Sequence, residues 1–379
     1  MSIQPIPFNR PRVAPNQIEY LTKSIRSGRI AGDGPFTKKV SEYLSNIHEN
    51  SAVLLTTSCT SALEMSAILL EIQEGDEVIV PSFTFVSSAN PFVLSGAKIV
   101  FVDIEPTTWN IDVEEVSKSI GPRTKAIVAV NYGGFPSVTP DLINLAHNFG
   151  IPIIEDNAHG LFSKDQGQPL GTLSSISTLS FHETKNVSCG EGGAIVVNDP
   201  KFVARAEVIR EKGTNRSAFF RGQIDKYTWV DKGSSFLLSD INAAMLLAQL
   251  EDSKTIQENR RLAFKSYSDE LGTWAHNYNV RLPVQLGSEE SAFHMFPILM
   301  PDLETRTRLI NHGRKHEVGL VFHYVPLHSS PAGRRFGRTI SSCQVTSDIS
   351  ERLVRLPLYS DIGTKDTERV IEVIKKFHS

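Results

Sequence analysis

The chain is predicted to be an α/β protein, with a large wound α/β domain over residues 1–250 and a smaller α+β domain over residues 251–379. Three observations carry this. Between Ala52 and Asn198 short apolar strands alternate with helical patterns, the signature of a wound sheet. After about residue 252 the pattern becomes mixed. The length of 379 residues, 40% of them hydrophobic, supports a large core and two or three domains.

In chain order, residues 1–50 read as an arm followed by helices, and Gly32-Asp33-Gly34-Pro35 marks a break between them. Strands are expected at Glu77–Val80, Lys98–Asp103, Ala126–Val130, Ile151–Glu155 and Ala194–Asn198. A helix after Ser58 places Leu63, Ala67 and Leu70 near one helical period and Met65, Leu69 and Ile72 near another, so both sets should be buried. Ser61 and Glu64 have capping-box spacing, which gives the hydroxyl cluster Thr56–Ser61 a simple capping alternative. A long helix should start near Ser239, with Ala243, Leu246, Leu247 and Leu250 on one face and a solvated continuation through Arg261. Strands at Phe296–Met300 and Gly319–Tyr324 and a closing helix at Asp366–Phe377 complete the second domain.

The chemistry is organised around Ser180-Phe-His-Glu-Thr-Lys185-Asn-Val-Ser-Cys-Gly190-Glu-Gly-Gly193, a polar loop closed by three glycines and backed by a β-branched strand. Such a loop can hold an amine rigidly at a pocket floor, where it could act as a Schiff-base nucleophile. The glycines can turn through positive φ without steric cost and leave room for a bulky group. Three further segments make that group a cofactor. Asp156 ends an apolar strand. Thr56-Thr57-Ser58-Cys59-Thr60-Ser61 opens a helix where free N–H groups and hydroxyls can hold a phosphate. Phe85, in Pro81–Phe85, follows another strand and offers an aromatic face. Phosphate cradle, ring, buried acid and amine are what a pyridoxal phosphate site requires. Phe85, Asn131, Tyr132 and Asp156 also fall at carboxyl ends of strands, where ligands of wound sheets lie.

These segments, in this order, resemble the DegT/StrS family of sugar-nucleotide aminotransferases, which have fold type I of the pyridoxal phosphate-dependent transferases, that of the aspartate aminotransferase superfamily. The resemblance runs from Ile6-Pro7-Phe8-Asn9 to Leu356-Pro357-Leu358. Arg210–Arg216, Phe219–Gln223, Asp225–Trp229 and Gly233–Phe236 resemble the branch that aminates dTDP-4-keto-6-deoxyglucose to dTDP-4-amino-4,6-dideoxygalactose. The resemblance implies Lys185 as the Schiff-base lysine and Asp156 as the acid beneath the pyridine nitrogen. It also implies Phe85 as the stacking ring, and Ser58, Cys59 and Ser180 around the phosphate. His159 stands where many relatives have glutamine near the phenolic oxygen, and a histidine there adds pH dependence. Ser235 stands where many relatives have an asparagine that reaches the phosphate in the neighbouring subunit, which implies a homodimer with shared active sites.

For the substrates, the resemblance implies a dTDP-sugar and L-glutamate in a ping-pong transamination. A 3-keto sugar aminotransferase and a non-catalytic cofactor-binding regulator are the alternatives. The dehydratases of the family carry histidine at the lysine position, against which Lys185 argues. His323, Tyr324 and His328 concentrate hydrogen-bonding groups in the second domain and are candidates for the sugar, although an ordinary strand with a polar edge reads equally well. Arg216, Lys226 and Tyr227 are candidates for sugar, donor carboxylate or diphosphate, and each is equally compatible with the surface.

The formal net charge of −3 contains no sustained basic block, so no nucleic-acid partner is expected. Cys59, Cys189 and Cys343 are scattered and odd in number, which fits neither a disulfide framework nor a structural zinc site. The start of the chain lacks the apolar core of a signal peptide and no stretch approaches a membrane span, so a cytoplasmic protein is expected.

Overall fold

A computed structural model describes residues 4–284 and 291–378. Its strands, in chain order, are β1 (Ala52–Thr56), β2 (Glu77–Pro81), β3 (Lys98–Val102), β4 (Thr124–Val130), β5 (Ile153–Asp156), β6 (Lys164–Asp165), β7 (Gln168–Pro169), β8 (Ile176–Ser180), β9 (Gly193–Val197), β10 (Phe296–Leu299), β11 (Gly337–Thr339) and β12 (Leu353–Leu356). Eight of them form one sheet in the order β1-β9-β8-β5-β4-β2-β3-β11. All neighbours are parallel except β9, which runs antiparallel to both β1 and β8. The five strands expected from Glu77 to Asn198 all form, with ends shifted by a residue or two.

Burial on both faces explains why these strands are near-continuous apolar runs. In β2, Val78 and Val80 turn to one face and pack with the helix Cys59–Leu69, while Ile79 turns to the other with Val100 and Ile127. Both periodic sets of that helix are buried. Its cap lies earlier than the expected Ser61: Ser58 is the N-cap, and its Oγ accepts from the Ser61 N–H at 3.0 Å. The hydroxyl at 58 wins because its extended backbone precedes the first helical turn.

The long helix expected from Ser239 is two helices, Asp240–Glu251 and Ser253–Asn277. Asp252 separates them with φ −90° and ψ 8°, and its carboxylate accepts from Arg12 Nε at 2.7 Å. Beyond it, β10 and β12 pair antiparallel and pack with the helices Ser253–Asn277 and Thr364–Lys375. The chain crosses this junction in both directions. Ile6 of the N-terminal arm is buried in the C-terminal core, and β11 extends the large sheet beside β3.

Gly319–Tyr324 does not form the expected strand. Within it only Val321 forms a bridge, an isolated one to Arg355, and the neighbouring Val318 bridges Ile6. A strand ladder alternates its side chains, whereas Phe322, His323 and Tyr324 in succession face one cavity. Among the described residues no helix is long and apolar enough to cross a membrane.

Candidate active site

Residues 181–192 link β8 to β9 and carry Lys185 at the carboxyl end of the sheet. The loop is pinned by backbone bonds from Phe181 N to Gly192 O (2.8 Å), Cys189 N to Phe181 O (3.0 Å) and Glu183 N to Gly190 O (3.0 Å). The arm adds a further tie, Asn9 Nδ2 donating to Glu183 O at 3.0 Å. Of the three glycines only Gly190 has positive φ, +84°. Gly192 and Gly193 do not use that freedom, and the need there is for space. Gly193 is paired with Ser180 on one side and Thr56 on the other, and a Cβ there would lie 2.3 Å from Cys59 N. Three segments of the cofactor pattern thus converge on one position: the lysine hairpin, Ser180 and the start of the hydroxyl-bearing helix.

Above this junction opens a cavity of about 670 Å³. Nine of the candidate residues line it: Ser58, Cys59, Phe85, Asp156, His159, Ser180, Lys185, His323 and Tyr324. Phe85 is 55% exposed, an open apolar ring at the cavity wall. The other five lie elsewhere. Arg216 donates to Glu211 Oε1 at 2.5 Å and covers the Phe220 ring. Lys226 and Tyr227 are exposed outside the cavity, as is Ser235. His328 is tied through Nδ1 to Ser82 Oγ at 2.7 Å, behind the wall. The Cys59 thiol also departs from its expected place beside a phosphate. It points to Thr178 Oγ1 (3.4 Å) and Asp156 Oδ1 (3.9 Å), which leaves only its backbone N–H at the helix end.

Asp156 is buried at the end of β5, where its Oδ2 accepts from Ser88 Oγ at 2.6 Å and its Oδ1 from Ala158 N at 3.2 Å. Burial pushes its pKa up, against the pull of those donors and of Lys185. A carboxylate so placed is stabilised by a cationic N–H arriving in the cavity. Burial lowers the Lys185 amine to about 8, opposed by the nearby Asp156 and Cys59. His159 stacks on His294 with ring centroids 4.3 Å apart, and burial holds both well below the ordinary histidine pKa. Burial thus disfavours the charged form of His159.

Several residues of this wall had no signal in the sequence. Ser88 lies in an unremarkable Val-Ser-Ser run. His294 is positioned by Asn186, whose Oδ1 lies 2.8 Å from its Nδ1. Phe8 and Arg355 belong to the arm and to β12, distant in sequence and adjacent in space, with the guanidinium carbon 4.5 Å from the ring centroid.

Pyridoxal phosphate fits this donor set on three counts. The start of an eleven-residue helix and the Ser58 and Ser180 hydroxyls could hold the phosphate. Asp156 could hold the protonated ring nitrogen. Lys185 has a lowered pKa, as a nucleophilic amine needs.

Comparison with known proteins agrees. The family model for DegT/DnrJ/EryC1/StrS aminotransferases matches residues 11–375. An uncharacterized protein of Methanocaldococcus jannaschii is 30% identical over 382 residues, 99% of this chain and 98% of its own length. The aminotransferase TlmJ of Streptoalloteichus hindustanus superposes with a TM-score of 0.89 at 27% identity, covering 98% of each chain. Spr1654 of Streptococcus pneumoniae, described as a sugar aminotransferase and solved in PLP and PMP forms, gives 0.89 at 25% identity; its PLP form covers 98% of each chain. The chain belongs to the DegT/DnrJ/EryC1/StrS aminotransferase family, with fold type I and pyridoxal 5′-phosphate as its cofactor.

Proposed function

We propose that the protein transfers the amino group of L-glutamate to dTDP-4-keto-6-deoxy-D-glucose, giving dTDP-4-amino-4,6-dideoxy-D-galactose for cell-surface polysaccharide synthesis in the cytoplasm. The observation that carries the transfer is Lys185, an amine lowered to about 8 in one cavity with the buried Asp156. The sugar half of the reading is supported by the Arg210–Phe236 sequence blocks and by the likeness to the Streptococcus pneumoniae protein.

Lys185 acts as acid and base. Near neutral pH a useful fraction of its amine is unprotonated, so it removes the proton from the donor's α-carbon and later returns one to carbon 4 of the sugar. Asp156, fixed by Ser88 and Ala158, would hold the ring nitrogen of the bound cofactor in its protonated form. The bound cofactor supplies the electron sink for the pair left on the substrate carbon. Neutral His159, braced by His294, donates or accepts one hydrogen bond without adding charge. Over a cycle glutamate leaves as 2-oxoglutarate and the sugar's carbonyl oxygen leaves as water. His323 and Tyr324 are the cavity residues we assign to the sugar.

The test adds glutamate to the loaded protein and follows cofactor absorbance, then adds the 4-ketosugar and determines the product by proton NMR. An axial 4-amine of galacto configuration supports the reading. An amine at carbon 3, or an equatorial 4-amine, overturns the sugar assignment and leaves the transamination intact.

A further inference from the structure

The stacked pair of His159 and His294 is held by hydrogen bonds that fix which ring nitrogen of each carries a proton. Gly133 N donates to His159 Nδ1 at 3.4 Å. A backbone N–H can only donate, so Nδ1 is a bare acceptor and the proton of the neutral ring is on Nε2. His294 is fixed in the opposite sense. Asn186 Nδ2 donates to Ala292 O at 2.6 Å and to Gln257 Oε1 at 3.1 Å. A carbonyl oxygen can only accept, which turns the amide so that Oδ1 faces His294 Nδ1 at 2.8 Å and requires a proton there. The backbone of His294 is held as well, since buried Arg260 donates to the carbonyls of Phe293 and His294. The ring so fixed lies 4.3 Å from that of His159 between centroids and 21° from its plane. The groups that face the pair disfavour a positive charge on it. Burial, Lys185 and Arg355 lower the His159 pKa, and burial, His159, Lys185, Arg260 and Arg355 lower that of His294. Tyr132 and His323 are the other rings beside His159.

The order of the sheet identifies what the His159 donor meets. β5, which ends in Asp156, lies between β8, which ends in Ser180, and β4, which leads to Gly133. On pyridoxal phosphate the phosphate arm and the phenolic oxygen flank the carbon that bears the aldehyde, one on each side. With the ring nitrogen at Asp156 and the phosphate at Ser58 and Ser180, the phenolic oxygen falls on the β4 flank, beside His159. We propose that His294 is a positioning residue for His159: pinned by Asn186, it holds that ring so that Nε2–H, and no positive charge, is turned to the phenolic oxygen of the bound cofactor. An amide side chain would carry its donor on a fixed atom, whereas an imidazole has two tautomers and a charged form. Gly133, Asn186 and His294 supply from outside what the histidine lacks. Asn186 follows Lys185 directly, so the same bonds tie the lysine hairpin to the histidine pair. The assignment rests on the cofactor and on Lys185 as its anchor, not on the identity of the sugar.

The test titrates the absorbance of the bound cofactor with pH in the holoprotein of wild type, His294→Leu, His159→Gln and the double variant. That absorbance changes as a proton leaves the Lys185 nitrogen next to the phenolic oxygen. A donor on the oxygen favours the loss, because the oxygen then carries its charge alone. His294→Leu should raise the midpoint by about one pH unit, the scale of one hydrogen bond to a charged oxygen. His159→Gln, which keeps a donor and has no tautomer to fix, should stay within about 0.3 unit of wild type. Adding His294→Leu to His159→Gln should produce no further shift, an outcome that a merely structural histidine would not give. Heteronuclear NMR of the histidine-labelled wild-type holoprotein near neutral pH reads the tautomers directly, with His159→Gln and His294→Leu used only to assign the signals. It should show His294 with its proton on Nδ1 and His159 with its proton on Nε2. A wild-type midpoint in His294→Leu, an equal shift with and without His159, or a proton on His159 Nδ1 overturns the assignment. Amination of a different sugar with these signatures in place supports it and counts against the substrate reading alone. Melting temperature and cofactor retention establish that each variant is folded.

Discussion

At the scale of single residues, Lys185 and Asp156 divide the work by environment. Both are buried in one cavity, and burial moves the amine down and the carboxyl up. Lys185→Ala should abolish turnover while leaving the melting temperature within a few degrees, since a loop amine contributes little to the core. Borohydride reduction of the loaded wild type followed by peptide mapping should place the label on Lys185, and a label on another lysine would refute the assignment. Asp156→Asn should slow both half-reactions strongly and leave sugar binding nearly unchanged, because each pK unit lost by its partner is about 1.4 kcal/mol of differential stabilisation. Wild-type single-turnover rates in that variant would contradict the role. The lowered amine also sets a pH dependence. Capture of free pyridoxal phosphate by the apo-protein requires neutral Lys185, so its rate should rise with pH up to about 8 and then level. An amine near the ordinary lysine value would give a rate still climbing at pH 10. Stopped-flow absorbance distinguishes the two profiles.

At the scale of elements, hydrogen bonds and close approach decide where the pieces of the site stop and start. The helix Pro35–Ile47 has no cap of its own, and its first N–H groups are met from another helix. Asp240 Oδ1 accepts from Thr37 N (2.7 Å) and Thr37 Oγ1 (2.9 Å), and Oδ2 accepts from Phe36 N (3.3 Å). Asp240→Ala leaves those buried donors unpaired and should cost about 3 kcal/mol in denaturant unfolding. Gly193→Ala should cost a similar amount, about 3 kcal/mol, since the methyl would overlap the first turn of the helix Cys59–Leu69. That variant should also take up cofactor poorly, and a melting curve and affinity equal to wild type would show that the close approach is not needed.

This scale also shows what was legible. The apolar strands from Glu77 onward and the periodic helix after Ser58 could be read because burial on both faces forces long apolar runs. Asp156 and Lys185 could be read because an acid ending such a strand, and an amine in a glycine-closed loop, are locally unusual. Arg355 and Phe8 could not, since their adjacency depends on the arm packing into the C-terminal core, which no local pattern encodes. The break at Asp252 was hidden for the same reason, because its partner Arg12 lies at the other end of the chain.

At the scale of the whole molecule, the segment from Arg216 to Ser235 stands apart from its own cavity and exposes Phe220, Tyr227, Trp229 and Val230, with Trp229 78% exposed. An association surface is where large apolar side chains would be left open in the single chain. We expect a homodimer in which this segment, with Ser235, approaches the partner's cofactor phosphate. Light scattering should give twice the 42.0 kDa chain mass, and Trp229→Glu should weaken association and cofactor retention together. A monodisperse monomer with full activity would rule out the shared site.

The hairpin that carries Lys185 has a kinetic consequence. Because β8 and β9 clamp both ends of residues 181–192 in one ladder, the amine cannot diffuse away when another amine displaces it. Recapture is then an intramolecular event, governed by an effective concentration that a short closed tether keeps far above that of any free amine. Insertion of a few glycines between Asn186 and Ser188 should leave the chemical groups in place yet slow recapture, so that the enzyme accumulates between turnovers in the form that has released its lysine.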